Sequence, residues 1–175
     1  MPRLFVAIDL PMAVTMKLAL IQPPAMPGLR LVMPDQMHLT LHFVGEVYLA
    51  RLAAVLETVK FSPFELTIEG VGQFPTSGRA AVLWAGVREN AELMQLHDAI
   101  GIALAKEGFK LEARHYAPHI TLARCKPDIP KTVVQAFLNS GASFTYSGIK
   151  VERFVLYSST VVNHAPLYRK ERLFS

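Results

Sequence analysis

A chain of 175 residues with 51% hydrophobic and 18% charged side chains is too apolar for a disordered polymer, and it is long enough to bury a substantial core as one domain or one domain of two lobes. No apolar run approaches the roughly 18 residues needed to span a bilayer, and the single cysteine, Cys125, excludes an internal disulfide and fits a reducing cytoplasm. The net charge of +4 permits a polyanionic partner without demanding one.

The chain opens with Leu4-Phe5-Val6-Ala7-Ile8, ended by Asp9 and Pro11. That run is too short for a signal-peptide core with its flanks and reads as a buried strand over Arg3–Leu10. Pro11 sits where a helix can start, and the apolar spacing of Met12–Ile21 suits one. Gln22–Gly28, with three prolines, is a loop. Leu29–Val32 forms a short strand, Pro34-Asp35-Gln36 a turn, and Met37–Val44 a strand closed by Gly45. Tyr48–Lys60 is amphipathic at helical spacing. Phe64–Val71 alternates as a strand, and Gly72–Gly78 is a loop carrying Phe74-Pro75.

The second half repeats the order. Ala80–Val87 is a strand holding the only tryptophan, Trp84. Asn90 caps a helix that runs to about Lys106, where Gly108 stops it. Lys110–His115 reads as a short strand and His119–Cys125 as a longer one, introduced by Ala117-Pro118. Pro130 opens a helix to about Leu138. Phe144–Ser159 is a strand broken near Gly148, and Tyr168–Phe174 is the last strand. Strand, helix, strand, helix, strand thus occurs twice, with boundaries near 1–78 and 79–175.

At matching points of the two halves stand His38-Leu39-Thr40-Leu41-His42-Phe43 and His119-Ile120-Thr121-Leu122-Ala123-Arg124. The interval from His38 to Phe64 nearly equals that from His119 to Phe144. In a strand, residues i and i+2 share a face about 6.6 Å apart, so each His-x-Thr puts an imidazole beside a hydroxyl and turns its apolar partners the other way. One such tetrapeptide is a weak signal, and an ordinary packed strand explains it. Two at equivalent points imply an internal duplication and an α+β fold of two pseudo-symmetric lobes. Each lobe would be an antiparallel sheet with flanking helices, with the active-site groove between them.

Histidine is the side chain that serves as acid or base near neutral pH. Two imidazoles on opposite sides of a reacting centre make a general base and a general acid. Hydroxyls on the same face supply donors to an anion held between them. This suits a phosphodiester, which needs an activated water, a protonated leaving alkoxide and donors to its non-bridging oxygens, and it requires neither metal nor cofactor.

These residues resemble the 2H phosphoesterase superfamily, named for two His-x-Thr/Ser-x motifs, and within it the branch of RNA 2′,3′-cyclic phosphodiesterases also called 2′–5′ RNA ligases. The resemblance runs nearly end to end. It takes in Arg3–Pro11, His38–Val47, Gly72–Pro75, Val82–Val87, Pro118–Arg124 and Phe154–Ser159. It implies hydrolysis of a 2′,3′-cyclic phosphate to a 2′-phosphomonoester, with His38 as proton donor, His119 as proton acceptor, and Thr40, Thr121 and Arg124 on the phosphate. The implied partner is RNA ending in a cyclic phosphate, such as tRNA fragments, or a small cyclic nucleotide, met by a cytoplasmic monomer without a membrane. Two alternatives stand beside hydrolysis: reversal to join cyclic-phosphate and 5′-hydroxyl ends, and a non-catalytic RNA-end or nucleotide binder.

Other residues carry two readings each. Strand alternation puts His42 on the face of His38, as a substrate contact or a groove rim. It stands about 13 Å from His38, too far to share a metal. His115 touches RNA phosphate or nothing. Phe74, in a glycine-bounded loop, stacks on a base or serves as wall. Phe43 and Trp84 read as core or wall, His97 as structural, His164 as an uninformative loop residue, and Cys125 as a reduced core thiol.

Overall fold

A computed structural model describes residues 1–175. Its strands and helices follow the order β1 (Arg3–Asp9), α1 (Met12–Ile21), β2 (Leu29–Leu31), β3 (His38–Glu46), α2 (Leu49–Leu56), β4 (Phe64–Phe74), β5 (Val82–Val87), α3 (Ala91–Lys106), β6 (His119–Cys125), α4 (Lys131–Gly141), β7 (Thr145–Val151), β8 (Phe154–Val162) and β9 (Ala165–Phe174). Pro34–Gln36 forms one helical turn. The α+β class stands, and Asn90 caps α3 by accepting from the Leu93 N–H at 2.9 Å.

Some expected boundaries move, each for a local reason. β4 continues through Gly72 to Phe74, because the glycine lets the Trp84 ring lie on the strand; a Cβ there would sit 2.2 Å from the indole. Lys110–His115 is not a strand. Both edges of β6 are already taken, one by β5 and the other by β2 and β3, so this segment finds no ladder. The expected strand over Phe144–Ser159 is two strands that break at Glu152–Arg153. Gly148, at φ +75°, stays inside β7, where the β4 pairing skips a position.

Every strand pairing is antiparallel, and the sheet order is β7-β4-β5-β6-β3-β1-β8-β9, with β2 on β6. Two four-strand groups meet where β3 and β6 share a single residue pair, Leu39–Ile120. The lobes are therefore joined within one sheet. Nor do they coincide with residues 1–78 and 79–175. β4, which closes the first half, pairs with β5, which opens the second, while β8 returns to pair with β1. Each group draws strands from both halves.

The core forms by simple alternation along β1. Leu4, Val6 and Ile8 enter the main cluster with Leu39, Leu41, Ile120 and Leu122 of the motif strands and Leu93, Ile100 and Leu104 of α3. Phe5 and Ala7 point the other way and pack with Val155 and Tyr157 of β8. Burying each Leu, Ile or Val contributes about 1.5–3 kcal/mol, so the fully buried Leu39 and Ile120 anchor the one point where the groups join.

Candidate active site

The two motif strands deviate from regular alternation at the same place. In β3, Thr40 pairs with Ala7 and His42 with Val6, which leaves Leu41 as an extra residue. In β6, Thr121 pairs with Trp84 and Ala123 with Leu83, which leaves Leu122 as the extra residue. A bulge of this kind re-aims every side chain beyond it. Phe43, opposite Phe5, and Arg124, opposite Val82, return to the face of the histidines. His42 does not. It pairs with the core residue Val6 and turns toward α3, where it meets His97, which corrects the face that strict alternation assigned to it.

The single pair Leu39–Ile120 lies at the x position of both His-x-Thr motifs. Continued by one residue, an antiparallel register sets His38 opposite Thr121 and Thr40 opposite His119. The imidazoles then lie on a diagonal, where same-face neighbours stand about 7–8 Å apart. Leu39 and Ile120 point into the core, so the histidines and threonines face a cavity of about 630 Å³. That cavity is lined by His38, Thr40, Thr121, His119 and Arg124, and also by His42, Phe74 and His115. All the residues singled out from the sequence as site candidates therefore border one space, His42 from the α3 side.

Each imidazole is fixed by the backbone two residues earlier. His38 Nδ1 is 2.8 Å from the Gln36 carbonyl, and His119 Nδ1 is 2.7 Å from the Ala117 carbonyl. A carbonyl only accepts, so Nδ1 carries the proton in both rings and the lone pair of the neutral ring resides on Nε2. Both rings are held in aromatic surroundings. His38 is within 5.0 Å of Phe5, 5.6 Å of Tyr157 and 5.0 Å of Tyr168. His119 meets Phe74 edge-on at 4.9 Å, with Trp84 at 6.2 Å.

These surroundings set the electrostatics. Burial pushes His38 down to about 4, and the charges of Arg124 and His119 add to that against the opposing Gln36 carbonyl. Burial also lowers His119, with Arg124 adding to the shift and the Ala117 carbonyl opposing it. Burial raises Tyr157, so its phenol beside His38 stays protonated. The cavity thus presents two neutral imidazoles, with the Arg124 guanidinium acting on both.

His97 and Tyr116, which the sequence did not mark as functional, also line the cavity, as do Phe5, Phe43 and Tyr168. The uniformly apolar run of β1 gave no clue to which residues face the site. Cys125 packs half-buried against the main core and does not line the cavity, and burial pushes its thiol up. His164 contributes only its carbonyl, which accepts from Arg30 Nη1 at 3.3 Å. No helix is long and apolar enough to cross a membrane.

Comparison with known proteins agrees with this geometry. A family model described as the 2′-5′ RNA ligase superfamily matches residues 29–162. The RNA 2′,3′-cyclic phosphodiesterase of Archaeoglobus fulgidus is 34% identical over 98% of this chain and 99% of its own. That of Escherichia coli is 32% identical over 90% of this chain and 87% of its own. The crystal structure of E. coli LigT complexed with 3′-AMP superposes with a TM-score of 0.74 at 29% identity, covering 98% of this chain and 96% of that one. A sequence with two equivalent bulged His-x-Thr strands around one cavity, a full-length relative at this identity and a family match across most of its length belongs to the 2′-5′ RNA ligase superfamily.

Proposed function

We propose that this protein hydrolyses the 2′,3′-cyclic phosphate at RNA ends to a 2′-phosphomonoester by two-histidine acid–base catalysis, without a metal. One observation carries the reading. The cavity holds two imidazoles of one fixed tautomer, each offering Nε2, flanked by two threonine hydroxyls and a guanidinium. The full-length relatives named RNA 2′,3′-cyclic phosphodiesterase support the substrate class.

In this reading His119 Nε2 takes a proton from water. The water oxygen bonds to phosphorus, the bond from phosphorus to the 3′-oxygen breaks, and His38 Nε2 protonates that oxygen. Thr40, Thr121 and Arg124 donate to the non-bridging oxygens, where charge builds as the new bond forms. Acid and base each contribute about 10²–10⁴-fold. His38 has to be protonated before it can act as the acid, and the bound phosphodiester's negative charge opposes the forces that hold it near 4. That same low value favours a second reading with exchanged roles, in which His38 is the base and His119 the acid. We place the protein in the cytoplasm as a monomer.

The test is incubation, with a chelator present, with a 2′,3′-cyclic nucleotide and with an oligonucleotide ending in one. A 2′-phosphate product and a bell-shaped pH–rate profile are expected. Joined strands from an added 5′-hydroxyl end would give the ligase direction. A 3′-phosphate would overturn the assigned bond cleavage, and binding without turnover would leave an RNA-end binder.

A further inference from the structure

We propose that Tyr116, His97 and His42 form a clasp that fixes the spacing of the two motif strands, and with it the spacing of the acid and base. The inference rests on the phosphodiesterase reading of the cavity and assigns it three positioning residues.

The problem that such a clasp solves is visible in the sheet. β3 and β6 share only the pair Leu39–Ile120. A ladder one residue long holds the two strands at one point and leaves their separation on either side unfixed. Yet groups that act together on one phosphorus have to be held within about 0.5 Å of a productive geometry.

The bulge at Leu41 turns His42 away from the phosphate side and onto α3, where its ring stacks on His97 at 4.1 Å and 16°. His42 Nε2–H donates to the His97 carbonyl at 2.7 Å. Gly101, one helical turn beyond His97, leaves room for the ring; a Cβ there would press on His42 at 3.2 Å. The opposite contact of His97 is with Tyr116, stacked at 3.9 Å and 10°. The Tyr116 hydroxyl then donates to the Thr40 carbonyl at 2.7 Å. A closed circuit results. It leaves β3 at His42, crosses α3 at His97, reaches the lead-in of β6 at Tyr116 and returns to β3 at Thr40. Thr40 lies between His38 and His42 in the chain, and Tyr116 stands three residues before His119. Asp98, 3.0 Å from His97 Nδ1, is the carboxylate on the outer side of this column. The polar atoms that close the circuit, His42 Nε2 and the Tyr116 hydroxyl, are both committed to backbone carbonyls, at His97 and Thr40.

Kinetics and imidazole titration of three full-length variants test the clasp. Tyr116→Leu removes ring and hydroxyl, Tyr116→Phe removes the hydroxyl alone, and His97→Leu removes the middle ring. Misplacement by about 1 Å costs a catalytic site about 10²-fold. Tyr116→Leu and His97→Leu are therefore expected to lower kcat on a 2′,3′-cyclic nucleotide about tenfold or more, with KM changed by less than about threefold. Tyr116→Phe, which keeps the stack, is expected to recover most of the loss. NMR titration should show His38 shifted in the Leu variants, because the spacing of the two rings sets how strongly it feels the charge of His119. An unchanged kcat, a raised KM with kcat intact, or a kcat loss matched by loss of folded protein would overturn the proposal. Should wild-type protein show no turnover, the phosphodiesterase reading fails, and unchanged titrations in the folded Leu variants would separately overturn the clasp.

Discussion

β3 and β6 place a histidine, a threonine and an extra leucine at equivalent positions, and in each the imidazole Nδ1 is bound to the carbonyl two residues earlier. What stands beyond the bulge differs. Phe43 returns to the cavity in β3, and Arg124 returns in β6. The walls differ as well: His38 sits among Phe5, Tyr157 and Tyr168, and His119 beside Phe74 and Trp84. A symmetric backbone thus carries an asymmetric pair of bases. The permanent charge belongs to one strand, and the deeper burial to the other. Acid–base catalysis needs such a difference, because two identical imidazoles have no reason to hold opposite protonation states.

The paired roles of the two strands collapse if only one histidine matters. His38→Ala and His119→Ala are each expected to lose about 10²–10⁴ in turnover while circular dichroism stays native. Full activity in either variant would reduce the pair to a single base.

A second expected effect concerns stability. His38 titrates near 4 in the folded chain against an ordinary value of 6.5. As pH falls from about 6.5 toward 4, the unfolded chain takes up the proton first, so stability held above that window is lost within it. The whole shift corresponds to about 3 kcal/mol, to order of magnitude. Chemical denaturation across this range should show a steeper decline in wild type than in His38→Gln. Equal slopes would mean that His38 is not buried in its neutral form.

Arg124→Gln removes the guanidinium that β6 adds beyond its bulge. Removing one charge-assisted contact to the phosphate is expected to cost about 1.5–3 kcal/mol, roughly 10- to 100-fold in kcat/KM. In the same variant both imidazoles should titrate higher, since Arg124 lowers each of them. A rise in only one would show that the guanidinium serves one motif.

The smallest effects come from the walls. Tyr168→Leu, by admitting water beside His38, should raise that residue's titration by less than about one pH unit and leave His119 in place. Phe74→Leu should do the converse. NMR titration of the two rings decides whether their surroundings act independently.

Much of this was legible in the sequence. The elements from β1 to β6 were readable because apolar periodicity and capping residues are local signals, as at Asn90 and Gly108. The His-x-Thr pairs marked the cavity because their chemistry is uncommon and occurs at matching points. The bulges were not legible: Leu41 and Leu122 look like ordinary strand leucines, and only pairing with β1 and β5 shows them to be extra residues. Strict alternation therefore gives His42 the wrong face and hides the route by which Arg124 reaches the cavity. The partners of His38 were hidden for a related reason. Tyr157 and Tyr168 lie far along the chain, and nothing local says that β8 returns to β1.

That return sets an order of assembly during translation. β3 leaves the ribosome well before β8 and β9, which bring the two tyrosines that seal His38. Contacts so distant in the chain form slowly. Until they close, residue 38 lacks the aromatic walls that bury it, so a nascent chain carries both motifs without the contrast between them.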